Sequence, residues 1–140
     1  VTVALSGMNT LEQVEENIAS ADISGVGQLN ADELALIDQA REAIKSSSPI
    51  PCTRCEYCLP CPNGVNIPLN FDIYNQAGMY NDLNQSRFAY GHFIPGDQRA
   101  VNCIQCDECL SKCPQHIPIS IWMPVVGEVL GQSRSYVQTV

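Results

Sequence analysis

Eight cysteines carry the chemistry of this sequence, and they are not scattered. Four stand at Cys52, Cys55, Cys58 and Cys61, four at Cys103, Cys106, Cys109 and Cys113, and none precedes Cys52. In Cys103-x-x-Cys106-x-x-Cys109-x-x-x-Cys113-Pro114, three thiolates two residues apart can wrap three corners of a cubane. The fourth is thrown away from that body toward another one, and Pro114 turns the chain out. Cys52-x-x-Cys55-x-x-Cys58-x-x-Cys61-Pro62 repeats the run with one residue fewer before its last cysteine. Two copies with no spare cysteine supply ligands for two [4Fe–4S] clusters. The crossed assignment puts Cys52, Cys55 and Cys58 with Cys113, and Cys103, Cys106 and Cys109 with Cys61. The shortened spacing leaves the partner of Cys61 the most open of the eight. Each quartet also has thiolates enough for a four-cysteine zinc site, although zinc ribbons set two close pairs well apart. Disulfides are the third reading, but eight cysteines in 140 residues fall below the density of a disulfide scaffold.

The elements around these runs read as helices. Between the runs, Phe71, Ile73, Tyr74, Ala77 and Tyr80 mark a helix over Asn70 to Tyr80. A shorter amphipathic piece covers Gln85 to Phe93, and Gly96-Asp97 turns the chain toward a helix start near Gln98 to Val101. Ahead of the cysteines, Val1 to Leu5 alternates as a strand does. Asn9 or Thr10 can cap a helix to about Ala21, with Leu11, Val14 and Ile18 on one face. Asn30 and Glu33 form a capping box for a second helix, with Leu29 and Leu34 as its staple. Ser46-Ser47-Ser48-Pro49 ends it. The division expected is therefore 1–48 and 49–140.

Composition narrows the partners. Seven basic residues against fifteen acidic give a net charge of −8, which argues against nucleic acid and anionic lipid. The longest apolar stretch, Ile117 to Leu130, is interrupted by Ser120, Pro124, Gly127 and Glu128 and is too short for a membrane span. The chain opens on Val1, and its first residues lack the basic start of a signal peptide, so a cytoplasmic piece of something longer is expected.

Weaker patterns have plainer readings. Asp22 to Glu33 matches a calcium loop at five positions, but Val26 offers no side-chain oxygen, so a capped helix–helix connection is preferred. His92 and His116 fit local hydrogen bonds, and Tyr57, Trp122, Phe71 and Tyr74 fit shielding or core. Thr53, Gln105 and backbone N–H groups inside the runs can donate to sulfur.

Two resemblances follow from these residues. The Cys103 run is the one used by bacterial ferredoxins, and the helical spacer resembles the helical ferredoxin modules of succinate dehydrogenase and dihydropyrimidine dehydrogenase. Gly7-Met8-Asn9-Thr10-Leu11-Glu12-Gln13-Val14-Glu15-Glu16-Asn17 resembles the segment after the last barrel strand of aldo/keto reductases. The phrases Ile50-Pro51-Cys52-Thr53, Cys58-Leu59-Pro60-Cys61-Pro62-Asn63-Gly64-Val65, Ile67-Pro68 and Cys113-Pro114-Gln115-His116-Ile117-Pro118 look like the C-terminal extension of a subgroup of that family. The resemblance implies a mainly α fold, a helical-ferredoxin-like module behind a strand–helix–helix remnant of a (β/α)8 barrel. It implies that Gly7, Asn9, Gln13, Glu16 and Asn17 belong to a site for the adenosine phosphate of NAD(P), filled only in the full-length enzyme. Gln13 stands where relatives often carry a basic residue. The implied function is electron transfer through two clusters, for an oxidoreductase not catalytic in this piece alone. Its partners would be its own missing barrel and a redox protein. The alternative is a metal cap, iron–sulfur or zinc, that only stabilises the barrel. Without metal, the part beyond Pro51 is expected to loosen while the two N-terminal helices persist.

Overall fold

The computed structural model describes the whole chain except Val1, Thr2, Ala4, Gln132 and Ser133. It falls into two compact units, Val1–Asp38 and Gln39–Val140. Five α-helices run in order: α1 (Leu11–Ile23), α2 (Ala31–Ser47), α3 (Ile67–Met79), α4 (Leu83–Phe93) and α5 (Ile119–Leu130). Two single 3-10 turns, Gly96–Gln98 and Ala100–Asn102, lead into the second cysteine run.

The described residues contain no strand. The strand expected over Val1 to Leu5 lies partly outside the described residues, and Val3 and Leu5 have no regular structure. An alternating run of five residues is held as a strand only when a neighbour pairs with its backbone, and no strand is present among the described residues to do so. The barrel remnant is therefore overturned. The regular structure of the described residues is all helical.

In the first unit, local chemistry accounts for the helix starts. Thr10 caps α1 by accepting from the Gln13 N–H at 3.3 Å, and Gln13 answers by accepting from the Asn9 N–H at 2.9 Å. At α2, Asn30 Oδ1 accepts from the Asp32 and Glu33 N–H groups, and Glu33 accepts from the Asn30 N–H at 2.8 Å. That is the capping box read from Asn30 and Glu33. Neither helix has a buried residue, however. Their periodic leucines and isoleucines stay in water: Leu11 is 74% exposed and Leu34 51%.

The second unit is where a core forms. Asn66 caps α3 by accepting from the Leu69 N–H, and the helix starts three residues ahead of the expected Asn70 because Pro68 fits a first turn. Asp82 caps α4. The stretch from Ile117 to Leu130, read only as too interrupted to span a membrane, contains α5. Pro118 sits at its N-cap and Pro124 inside it, and nine of its residues are buried. Tyr74 is fully buried, with Trp122 edge-on at 5.7 Å and Tyr136 stacked at 4.9 Å. Its hydroxyl donates to the Val137 carbonyl at 2.6 Å and accepts from the Val137 N–H at 3.2 Å. The segment after α5 is tied to the same core.

This distribution reverses the expected order of persistence. Protection against amide exchange follows buried apolar contacts, and α3 and α5 have them while α1 and α2 do not. In the unliganded chain, amides of α3 and α5 are expected to exchange at least about a hundredfold more slowly than those of α1. Equal rates, measured by mass spectrometry, would contradict this.

Candidate functional site

The two cysteine runs repeat each other in backbone as well as sequence, 51 positions apart. Arg54 and Gln105, each just before the second cysteine of its run, have φ of 56° and 53°. Glu56 and Asp107, each just after it, have φ of 65° and 64°. Left-handed backbone is uncommon for side chains of this kind. Alternating it with ordinary residues turns successive N–H groups toward one side, making a concavity that favours electron-rich atoms. The Arg54 backbone N–H opposes the rise of the Cys52 thiol's pKa, and that of Gln105 does the same for Cys103.

The runs fold around two hollows. One, of ≈ 320 Å³ including its open mouth, is lined by Cys52, Cys55, Cys58 and Cys113, with Phe71, Ile117 and Ile119 among its apolar walls. The other, of ≈ 410 Å³, is lined by Cys58, Cys61, Cys103, Cys106 and Cys109, with Val65 and Ile67 behind them. The first hollow draws three cysteines from one run and one from the other, and the second draws three and two. Cys58 and Ile67 line both and so form a shared wall.

Burial sets the character of these thiols. Cys55 and Cys106 are exposed, whereas Cys58 is buried. Burial pushes the Cys58 and Cys109 thiols up to about 11, and neighbouring cysteines add to it. Burial also raises Cys52 and Cys103, against the opposing backbone donors. Charges sit at the rim: Arg54 pairs with Asp72 at 3.3 Å beside the first run.

The other singled-out residues have local duties. Gln105 gives its side-chain amide to the Ser120 carbonyl at 3.0 Å, while Thr53 lines the first hollow. His92 Nδ1 lies 3.1 Å from the Phe88 carbonyl oxygen, and its ring stacks on Phe88. Trp122, Phe71 and Tyr74 belong to the core, but Tyr57 is 66% exposed and shields nothing. Gly7, Gln13, Glu16 and Asn17 line an open polar recess with Ser6 and Met8. Gln13 and Asn9 are engaged in the α1 cap, and Asn17 donates to Ser6 at 3.2 Å. Asp22 lies inside α1, and Glu33 is occupied by its cap.

Two residues escaped the sequence reading. Asn70 and Asn75 are buried polar side chains in the otherwise apolar stretch of α3. The signal was an asparagine on the core-facing side of a helix, where a partner is obligatory.

No group of three or more Cys, His, Asp or Glu that could hold a metal ion is found among the described residues. The thiols line walls instead of converging on one point. This corrects the expected cofactors, two [4Fe–4S] clusters as well as zinc, together with the iron–sulfur electron-transfer function and its metal-cap alternative. The aldo/keto reductase assignment and its NAD(P) are corrected too. That family needs a strand, none is found among the described residues, and no curated protein and no solved structure matches the chain. No helix among the described residues is long and apolar enough to cross a membrane. One family model does match: that of the 4Fe-4S dicluster domain, over residues 51–117, just under half of the chain.

Proposed function

We propose that the eight cysteines are the working residues and form two four-thiol sites with crossed membership. One site is Cys52, Cys55, Cys58 and Cys113; the other is Cys61, Cys103, Cys106 and Cys109. The observation that carries this reading is the lining of the two hollows, in which Cys113 joins three cysteines of the first run and Cys61 joins three of the second. The paired left-handed residues support it by turning backbone donors toward the sulfurs. The match to a dicluster domain supports the same count of two sites in one short module.

The test is cross-linking. The reduced chain is treated anaerobically with dibromobimane, which joins neighbouring thiols, and the linked pairs are mapped. Links are expected within each set, from Cys113 to Cys52, Cys55 or Cys58 and from Cys61 to Cys103, Cys106 or Cys109. Cys113→Ser should remove the first class of link and leave the second. Links confined to the sequence quartets, or none at all, would overturn the proposal.

A further inference from the structure

Both cysteine runs lack regular secondary structure in their first half, so something must hold the chain where it enters each one. The entry to the first run is Ile50, two residues before Cys52. Its N–H donates to Asn75 Oδ1 at 3.1 Å, and its carbonyl accepts from Asn75 Nδ2 at 2.7 Å. The entry to the second run is Ala100, three residues before Cys103. Its N–H donates to Asn70 Oδ1 at 2.8 Å, while Asn70 Nδ2 donates to the Gln98 carbonyl at 2.9 Å. Ile50 and Ala100 are each 1% exposed, Asn70 0% and Asn75 9%.

From this we infer that Asn75 and Asn70 are a matched pair of positioning residues, each fixing the entry of one cysteine run to α3. A primary amide suits the task because it offers a donor and an acceptor side by side, as a backbone peptide does. Five residues on one helix place the two side chains about 140° apart around its axis. Thus α3 reaches the two runs from different sides and sets the distance between them. Removing either amide would leave buried backbone groups unpaired, which costs more than the bond itself contributes.

The inference deepens the two-site reading and rests on it for its functional meaning. Its test reads alkylation rates of the reduced chain and not cross-links, so the two can fail separately. Iodoacetamide alkylation is followed cysteine by cysteine. Asn75→Ala is expected to speed reaction at Cys52 and Cys58 by about tenfold, as loss of a buried hydrogen-bonded pair would, and to leave Cys103 and Cys109 within about twofold. Asn70→Ala should give the reverse. Asn75→Asp and Asn70→Asp keep the acceptor and lose the donor; they should show the same selectivity at smaller size, and they carry the test if an alanine variant does not fold. A merely structural role would speed both runs together in every variant. That outcome, or no change in either run, would overturn the inference. Selective rates without cross-links between the runs in the wild-type chain would leave the positioning roles standing and remove the two-site reading.

Discussion

Phe71→Ala is expected to cost the second unit about 3–5 kcal/mol, the usual range for emptying a buried aromatic site. Phe71 is 1% exposed, lies on α3, and forms part of the wall of the first hollow. Small domains have only about 5–15 kcal/mol of net stability, so the loss takes a large share of the total. It should appear as a lower denaturant midpoint, and the thiols of the first hollow should become easier to alkylate. Ile44→Ala is the contrast. Ile44 is also an apolar helix residue, but it is 65% exposed, and its removal should change stability by no more than about 0.5 kcal/mol. A Phe71→Ala cost below about 1 kcal/mol would mean that the hollow, not the core, occupies that side of α3.

The same pair of residues shows what the sequence could and could not convey. Ile44 and Phe71 both fall on periodic apolar faces, and periodicity names a face without naming its partner. For α3 the partner is α5, whose Trp122, Met123 and Val126 are buried. For α1 and α2 no residue is buried. Caps were legible because their hydrogen bonds join residues three or four apart: Thr10 with Gln13, and Asn30 with Glu33. The strand at Val1 to Leu5 was not, because strand pairing depends on a neighbour that a single segment cannot specify. α5 was left unassigned: the stretch was read only as too interrupted for a membrane span, and burial of nine of its residues sustains a helix there despite Pro124.

At the cysteines, spacing marked the two runs whose residues line the two hollows. It did not convey whether the sulfurs converge on one point, which depends on backbone dihedrals. Those dihedrals put Arg54, Glu56, Gln105 and Asp107 in the left-handed region, and nothing in their side chains announces it. The aldo/keto reductase reading failed at a similar step. Gly7, Asn9, Gln13, Glu16 and Asn17 resembled a turn and helix start, and here Asn9 bonds to Gln13 in the α1 cap while Asn17 donates to Ser6.

Glycine substitutions provide the sharpest separation of close packing from helix propensity, and the second large effect is expected at Gly78. This residue lies in the last turn of α3. A Cβ added there would meet the Tyr136 hydroxyl and stand 2.6 Å from the Ser47 carbonyl oxygen, which is backbone and cannot swing aside. Tyr136 in turn stacks on Tyr74, and Val137 is bonded to the Tyr74 hydroxyl, so displacement would spread to the centre of the core. Overpacking of this kind typically costs about 1–3 kcal/mol. Gly91, in α4, has open space where its Cβ would be. There Gly→Ala should stabilise, by about 0.5–1 kcal/mol, because alanine loses less backbone freedom on folding. The two variants are therefore expected to move the denaturant midpoint in opposite directions. Gly78→Ala should also release Tyr136, seen as a rise in its solvent exposure by nitration or fluorescence. If Gly78→Ala stabilised the chain as Gly91→Ala does, the segment around Tyr136 would not be packed against α3.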